Sequence, residues 1–492
     1  MNWKPQQTLS EKDIKKGLSF SIGDGLATEV MTTLTGTTFL IAIALLLGAT
    51  NFEIGLLAAF PVFTNVFQLI SIWLVRRLNN RRIISFVCSI LARIPLVMLG
   101  LFILSFRQLT MQPLLVFLFI YYFFGSLAGP SWNAWMKDLV PENLLGAYFS
   151  KRSSYMQMLN IIVSLLLALI LEFIRKNYPQ YELNAYAIMF IMAGSVGIAG
   201  AFILAKVPEP QGTTINENIF RLLKKPLKDG NFRRLLIFNS VWVFALNIAS
   251  PFFVVFMMKS MGLSLIYIIG LTIASQLSSI LTIRTWGRYA DQYSNKTIIA
   301  IGAPLYILCL AAWCFVGIYS HPLMNLTLLI LIHIAMGVST AGINLSLTNI
   351  GLKLAPKNES IIYLATKNIG TAIFSSLGPL LGGYLADYFT KRSLIVNAEW
   401  VGPRFKKTLH LVSLHEWNFL FLIGAFLAII ALQFLFTVKE TGEVEKDEVR
   451  RIMRSSLRNN LKDYFVIGQL ISLQEQLWRF VHKKTLSNPG TK

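Results

Sequence analysis

Acidic side chains, histidine and cysteine are all scarce in this chain, and each scarcity removes a class of function. Its 492 residues hold 24 Asp and Glu against 45 Lys and Arg, with 5 His and 3 Cys. The histidines and cysteines are scattered, so no metal-ligand spacing is present, and neither a glycine-rich phosphate loop nor a nucleophile elbow occurs. Nothing in the pattern points to an enzyme, and no cofactor or metal is expected. Energy for work on a solute would have to come from a gradient. Cys88, Cys309 and Cys314 all lie in apolar runs, which fits small buried side chains rather than a disulfide frame.

Charge of either sign is also thin. Only 14% of residues are charged, against about 25% in an ordinary soluble protein, while 54% are hydrophobic. The apolar residues gather into runs of about 20 or more, long enough to cross a bilayer core of about 30 Å. The mean hydropathy of +0.58 agrees with an integral membrane protein. The formal charge of +21 does not imply nucleic acid, because the basic residues sit in connections rather than on one face. Lys4, Lys12, Lys15 and Lys16 precede the first run, Arg76, Arg77, Arg81 and Arg82 follow the second, and Arg221 to Arg234 is a basic stretch at mid-chain. If the spans alternate, these all fall on one side, which places both termini in the cytoplasm. Lys391, Arg392, Arg404, Lys406 and Lys407 break the rule in a longer outer loop. The polar start and long first run show no cleavable signal peptide, so a cytoplasmic (inner) membrane location is expected.

The chain repeats itself. Arg77-Leu78-Asn79-Asn80-Arg81-Arg82 lies about 214 residues before the stretch from Asp291 to Lys296, and Pro141, Asn143, Tyr148 and Arg152 have counterparts in Pro356, Asn358, Tyr363 and Lys367. Two related halves are a signature of secondary transporters. The decapeptide Gly287-Arg288-Tyr289-Ala290-Asp291-Gln292-Tyr293-Ser294-Asn295-Lys296 resembles the loop signature of the major facilitator superfamily, with Gly287, Asp291 and Lys296 at the matching places. Gln292 and Ser294 depart from it, standing where the family usually has arginine and glycine.

That resemblance implies an all-α integral membrane fold of 12 transmembrane helices in two six-helix halves. The expected layout is a cytoplasmic lead at 1–16, halves at 17–206 and 234–437, a cytoplasmic linker at 207–233, and a helical, amphipathic cytoplasmic tail at 438–492. It also implies alternating access, with a solute bound near the midplane between the halves.

Polar residues inside apolar runs are the candidates for chemistry, since an ionisable side chain at a helix centre costs about 2.5–3.5 kcal/mol on insertion scales. Asp24 and Glu29 in the first span are proton-coupling candidates, Glu29 being the deeper, and Arg93 in the third is a candidate ion-pair partner for either. Arg152 and Lys367, equivalent in the repeat, would face each other from spans five and eleven and suit an anionic group on a substrate. Each also lies close enough to the membrane surface to snorkel or to pair with Asp138 or Glu359. Trp132, Asn133 and Trp135 at the end of span four, Asn247 in span seven, and Asn344 and Asn349 in span ten complete the cavity candidates. Trp132 and Trp135, three residues apart, share a helix face. Asp291 is placed to latch the gate by accepting amide hydrogen bonds across the halves, and Arg77 at its counterpart implies an asymmetric gate.

Ser376 to Gly383 resembles the glycine-proline motif of the family's antiporters, but in span eleven rather than five. The span-four arginine of proton-driven drug antiporters is absent between Leu114 and Ala128. The expected function is secondary transport of a small organic anion or zwitterion by a monomer, coupled to protons, with membrane lipids as surroundings and no nucleic-acid partner. Export of an amphiphile, and a sensor or docking role through the tail, are the alternatives.

Overall fold

The computed structural model describes residues 3–7, 9–106, 110–141, 144–211, 219–317, 322–356, 360–402 and 405–440. Among these, 12 helices are long and apolar enough to cross a membrane. They are Glu11–Leu46, Asn51–Leu78, Arg81–Phe106, Met111–Leu139, Leu145–Asn177 and Pro179–Leu204, then Gly230–Lys259, Leu265–Gln292, Asn295–Phe315, Pro322–Leu354, Ile362–Phe389 and Trp417–Leu435, called here spans 1 to 12. The expected tail helices lie outside the described residues.

Local chemistry sets several boundaries. Span 1 begins at Glu11, earlier than the apolar run, because Ser10 caps it through the Asp13 amide at 3.2 Å. It breaks between Leu34 and Thr37. There the hydroxyls of Thr32, Thr33 and Thr35 all donate to carbonyls three or four residues back, competition that weakens a helix from within. Span 2 starts at a complete capping box, Thr50 with Glu53, and narrows to a 3₁₀ turn at Thr64–Phe67 just after Pro61.

Among the described residues, a helix and a β-hairpin lie outside the spans. A short helix, Ile219–Lys228, occupies the stretch expected as linker, and span 7 starts at Gly230, where Asp229 caps it through the Asn231 and Phe232 amides. The outer loop is a β-hairpin, β1 (Ser393–Gly402) antiparallel to β2 (Phe405–His415), with Ser393 opposite His415 and a bulge at Val396/Asn397. The all-helical expectation did not contain it. We call the two ends of the bundle the linker face and the hairpin face.

The halves meet tightly at the hairpin face. Gly55 of span 2 and Gly383 of span 11 permit this: a Cβ on Gly55 would come within 2.2 Å of the Pro379 carbonyl oxygen, and one on Gly383 within 2.6 Å of the Asn51 oxygen. Asp387, near the end of span 11, accepts from the first amides of span 2, Asn51 N–H at 3.0 Å and Phe52 N–H at 2.9 Å, while Asn51 Nδ2 reaches Thr390 Oγ1 at 3.4 Å. Towards the linker face, Ser150, Ser153, Ser154 and Gln157 of span 5, Arg284 and Thr285 of span 8, and Asn344 and Thr348 of span 10 are exposed. The bundle is therefore closed at the hairpin face and presents polar walls towards the linker face.

Candidate functional site: a polar cavity in the first half

Span 1 is continuous α-helix from Glu11 to Leu34, so Asp24, Thr28 and Thr32 stack on one side at four-residue spacing. That side forms one wall of a cavity of about 520 Å³, with Asn65 and Gln68 from span 2, Ser85, Ser89 and Arg93 from span 3, Tyr121, Tyr122, Trp132 and Asn133 from span 4, and Arg152 from span 5. All belong to the first half.

Arg93 is the centre of its charge. The residue is buried, and its Nη2 donates to Thr28 Oγ1 at 3.1 Å and lies 3.7 Å from Asp24 Oδ1. Thr28 in turn donates to the same Asp24 oxygen at 3.5 Å, so the hydroxyl bridges a loose ion pair. Arg152 supplies a second guanidinium, 4.6 Å from the centre of the Trp132 ring, with its Nε 3.4 Å from the Ser21 carbonyl oxygen. Gly25 makes room for it, because a Cβ there would meet Arg152 Nη2 at 2.7 Å. Two cations and one carboxylate thus converge on the pocket.

Three polar atoms of the lining are buried without a hydrogen-bond partner: Arg93 Nη1, Ser85 Oγ and Trp132 Nε1. Buried donors are almost always satisfied, so three unpartnered ones among the residues of spans 3 and 4 that line this cavity are donors still in want of an acceptor. An anionic or carbonyl-bearing solute supplies one.

The other sequence candidates sit elsewhere. Glu29 does not line this cavity; beside it, Thr33 on the same side accepts from Asn160 Nδ2 at 2.8 Å, so Asp24 is the carboxylate at the pocket. Trp135 is fully buried and donates to the Pro208 carbonyl at 2.9 Å, in a packed cluster with Leu139, Leu204 and Val207. Only Trp132 of the pair reaches the pocket. Lys367 is buried against span 10, donating from Nζ to the Leu347 carbonyl at 2.9 Å, and is not brought to the Arg152 cavity. Asp138 is taken by Arg81 at 2.5 Å. Asn247 joins spans 7 and 11 through Ser375 Oγ at 2.9 Å; Asn344 is exposed and Asn349 half-buried on span 10.

At the signature loop Gly287 lies in span 8, Asp291 is exposed, and the acceptor for the start of span 9 is another residue. Glu440, five residues beyond span 12, takes the Lys296 amide at 2.7 Å, Asn295 Nδ2 at 2.8 Å, the Asn295 amide at 3.3 Å and Lys353 Nζ at 3.0 Å. The first half repeats the device: Glu209, beyond span 6, takes the Arg81 amide at 2.8 Å, the Arg82 amide at 3.1 Å and Arg81 Nε at 3.2 Å. Glu440 lies outside the spans. Burial pushes its carboxyl up, but the hydrogen bonds from Asn295, Lys296 and Lys353 together outweigh that and hold it below the usual range.

Sequence reasoning missed both glutamates, Ser85 and Ser89. Signals were there: Val207-Pro208-Glu209 and Val438-Lys439-Glu440 are parallel endings, and Ser85, Ser89 and Arg93 form an i, i+4 stripe.

The family model described as the Major Facilitator Superfamily matches residues 26–360. The chain belongs to the major facilitator superfamily. No curated protein sequence matches it. Among solved structures it is similar in fold to the nucleoside transporter NupG, at TM-score 0.63 and 14% identity, covering 87% of this chain and 98% of that one. A bacterial homologue of the human lysosomal transporter Spinster, inward-facing and unoccupied, matches at TM-score 0.60 and 15% identity over 87% and 98%. The xylose transporter XylE from E. coli, in an inward open conformation, matches at TM-score 0.57 and 15% identity over 89% and 98%. Membership in the superfamily makes this a multi-pass membrane protein with the fold of a secondary transporter, as the loop signature and repeat implied.

Proposed function

We propose that this superfamily member carries a small organic anion or zwitterion across the cytoplasmic membrane by alternating access, coupled to protons. The observation that carries the reading is the convergence of Arg93 Nη1, Ser85 Oγ and Trp132 Nε1, buried and without partners, on a cavity that also holds Arg152 and Asp24. An anionic group on the solute satisfies these donors and competes with Asp24 for Arg93. Asp24, released from its cation in a buried site, then takes a proton. The coupled cargo is one proton and one anion, and the return of the Asp24–Arg93 pair resets the site.

The linker face, with its excess of Lys and Arg, is assigned to the cytoplasm. The protein works as a monomer, because the cavity is complete within one chain. The test is proton movement in proteoliposomes on adding small carboxylates or zwitterions. With anion added outside, wild type should acidify the lumen, Asp24→Asn should uncouple the proton, and Arg152→Ala should weaken anion affinity. Anions without effect on wild type, while neutral or cationic solutes move and ignore both substitutions, would sink the proposal.

A further inference from the structure

A second cavity lies in the other half and has the opposite chemistry. It measures about 420 Å³ and runs between spans 7 and 11, lined by Leu236, Ile237 and Val241 on one side and Ile369, Ile373 and Phe374 on the other. Both helices rise from the linker face in parallel, so from Arg233 to Val241 the slot is about 12 Å deep at 1.5 Å per residue. Apart from Arg233, Ser240 and Thr366, its lining residues are apolar or glycine.

Two features say what the slot opens onto. On span 11, Ile373, Leu377, Leu381, Tyr384 and Tyr388 are all exposed and follow one another at spacings of three or four residues, a single stripe that continues to the hairpin face. The halves are closed there, so that stripe faces lipid, and the slot is an indentation in the same lipid-facing surface. At the linker face the helix Ile219–Lys228 lies across the mouth, with Leu223 and Leu227 in the slot wall together with Arg233, and Lys224 and Lys228 exposed on the same short helix. Among the described residues, Asp229 follows this helix directly, and its carboxylate is occupied in capping span 7.

From this we infer that the slot holds one acyl chain of an anionic phospholipid drawn from the cytoplasmic leaflet, its phosphate paired with Arg233 and Lys224. Length, apolar lining and position suit a hydrocarbon chain, and the basic rim suits an anionic headgroup. The lipid joins the linker helix to spans 7 and 11, and the inference rests on the cytoplasmic assignment of the linker face but not on the transported solute. No transport step passes through it.

The experiment is native mass spectrometry of the full-length protein after exchange into micelles containing phosphatidylglycerol or phosphatidylcholine with the same acyl chains. Wild type should retain one phosphatidylglycerol in preference to phosphatidylcholine. Gly370→Leu should fill the slot, since a Cβ on Gly370 meets only Ser240 Oγ, at 3.8 Å; retention of either lipid should fall about tenfold. Arg233→Gln, an exposed substitution that leaves the packing intact, should reduce the headgroup preference about fivefold while the chain still binds, the factor expected of one basic residue at a membrane surface. Equal retention of the two lipids by wild type, or a Gly370→Leu protein that is folded and retains lipid as wild type does, would overturn the inference. Loss of proton coupling in the Asp24→Asn variant with lipid retention intact separates this slot from the solute site.

Discussion

Replacing Asp387 with alanine should part the two halves at the hairpin face. The carboxylate accepts the Asn51 and Phe52 amides at the start of span 2, which the Thr50–Glu53 capping box leaves free, at 3.0 and 2.9 Å. A hydrogen bond to a charged acceptor contributes about 1.5–3 kcal/mol net, and favourable placement at a helix N-terminus about 0.3–1 kcal/mol. Asp387 is exposed and the freed amides regain water on opening, so each bond falls below that range, at about 1 kcal/mol: about 2 kcal/mol for the pair, or roughly a 30-fold shift in the closed-to-open ratio. A hairpin-open conformer populated at about 1% would rise to roughly a quarter of the molecules. Asp387→Asn, which keeps one acceptor, should shift the ratio about fivefold. Spin labels at Leu46 and Leu323, both exposed near that face, report the change as a second, longer distance in pulsed electron resonance. If Asp387→Ala gives the same distance distribution as wild type, the latch does not hold the halves and closure must rest on the packing at Gly55 and Gly383 and the Asn51–Thr390 hydrogen bond.

Other consequences follow from the same contacts. Glu440 is held below the usual carboxylate range, so its contribution to stability is complete at neutral pH and is lost only as pH falls through that lowered value. Glu440→Gln should lower stability by about 1–3 kcal/mol at pH 7 and flatten the acid limb of a Tm–pH curve measured in detergent. Removing only Asp24 as Asp24→Ala leaves Arg93 buried and unpaired, at a cost of about 3–5 kcal/mol. Asp24→Asn with Arg93→Gln should recover most of that in a thermal-shift assay without recovering coupled transport. Trp135→Phe should cost about 1 kcal/mol and spare solute affinity, because it breaks the bond to Pro208; Trp132→Phe should do the reverse in a binding assay.

The twelve spans were legible because long apolar runs have one use in a chain this poor in charge, and the family followed from the loop signature and the repeat. The site was only partly legible, since a helix turns about 100° per residue. Asp24 and Glu29, five residues apart, are about 140° apart round span 1, so one reaches the pocket and the other turns towards span 5. Trp132 and Trp135 differ by about 60°, enough to send one to Arg152 and the other under Pro208. Sequence spacing names candidates but cannot choose between such faces without the neighbouring helices. The repeat misled for Lys367: equivalent position did not give an equivalent surrounding, because span 10 offers the Leu347 carbonyl where the first half offers span 1 and an open cavity. The hairpin escaped because its strands lie in a connection between spans, where the apolar pattern was read only for helices.

The place of Glu440 changes where the tail can be said to begin. Val438 and Glu440 are buried in the bundle, so the chain is still part of the second half when it leaves span 12. A truncation designed to ask what the tail does must start after residue 440; cutting at 438 would unseat the start of span 9, and the lost activity would be credited to the wrong segment. The same holds for a tag, since a tether pulling on the tail pulls first on a carboxylate that two helices share.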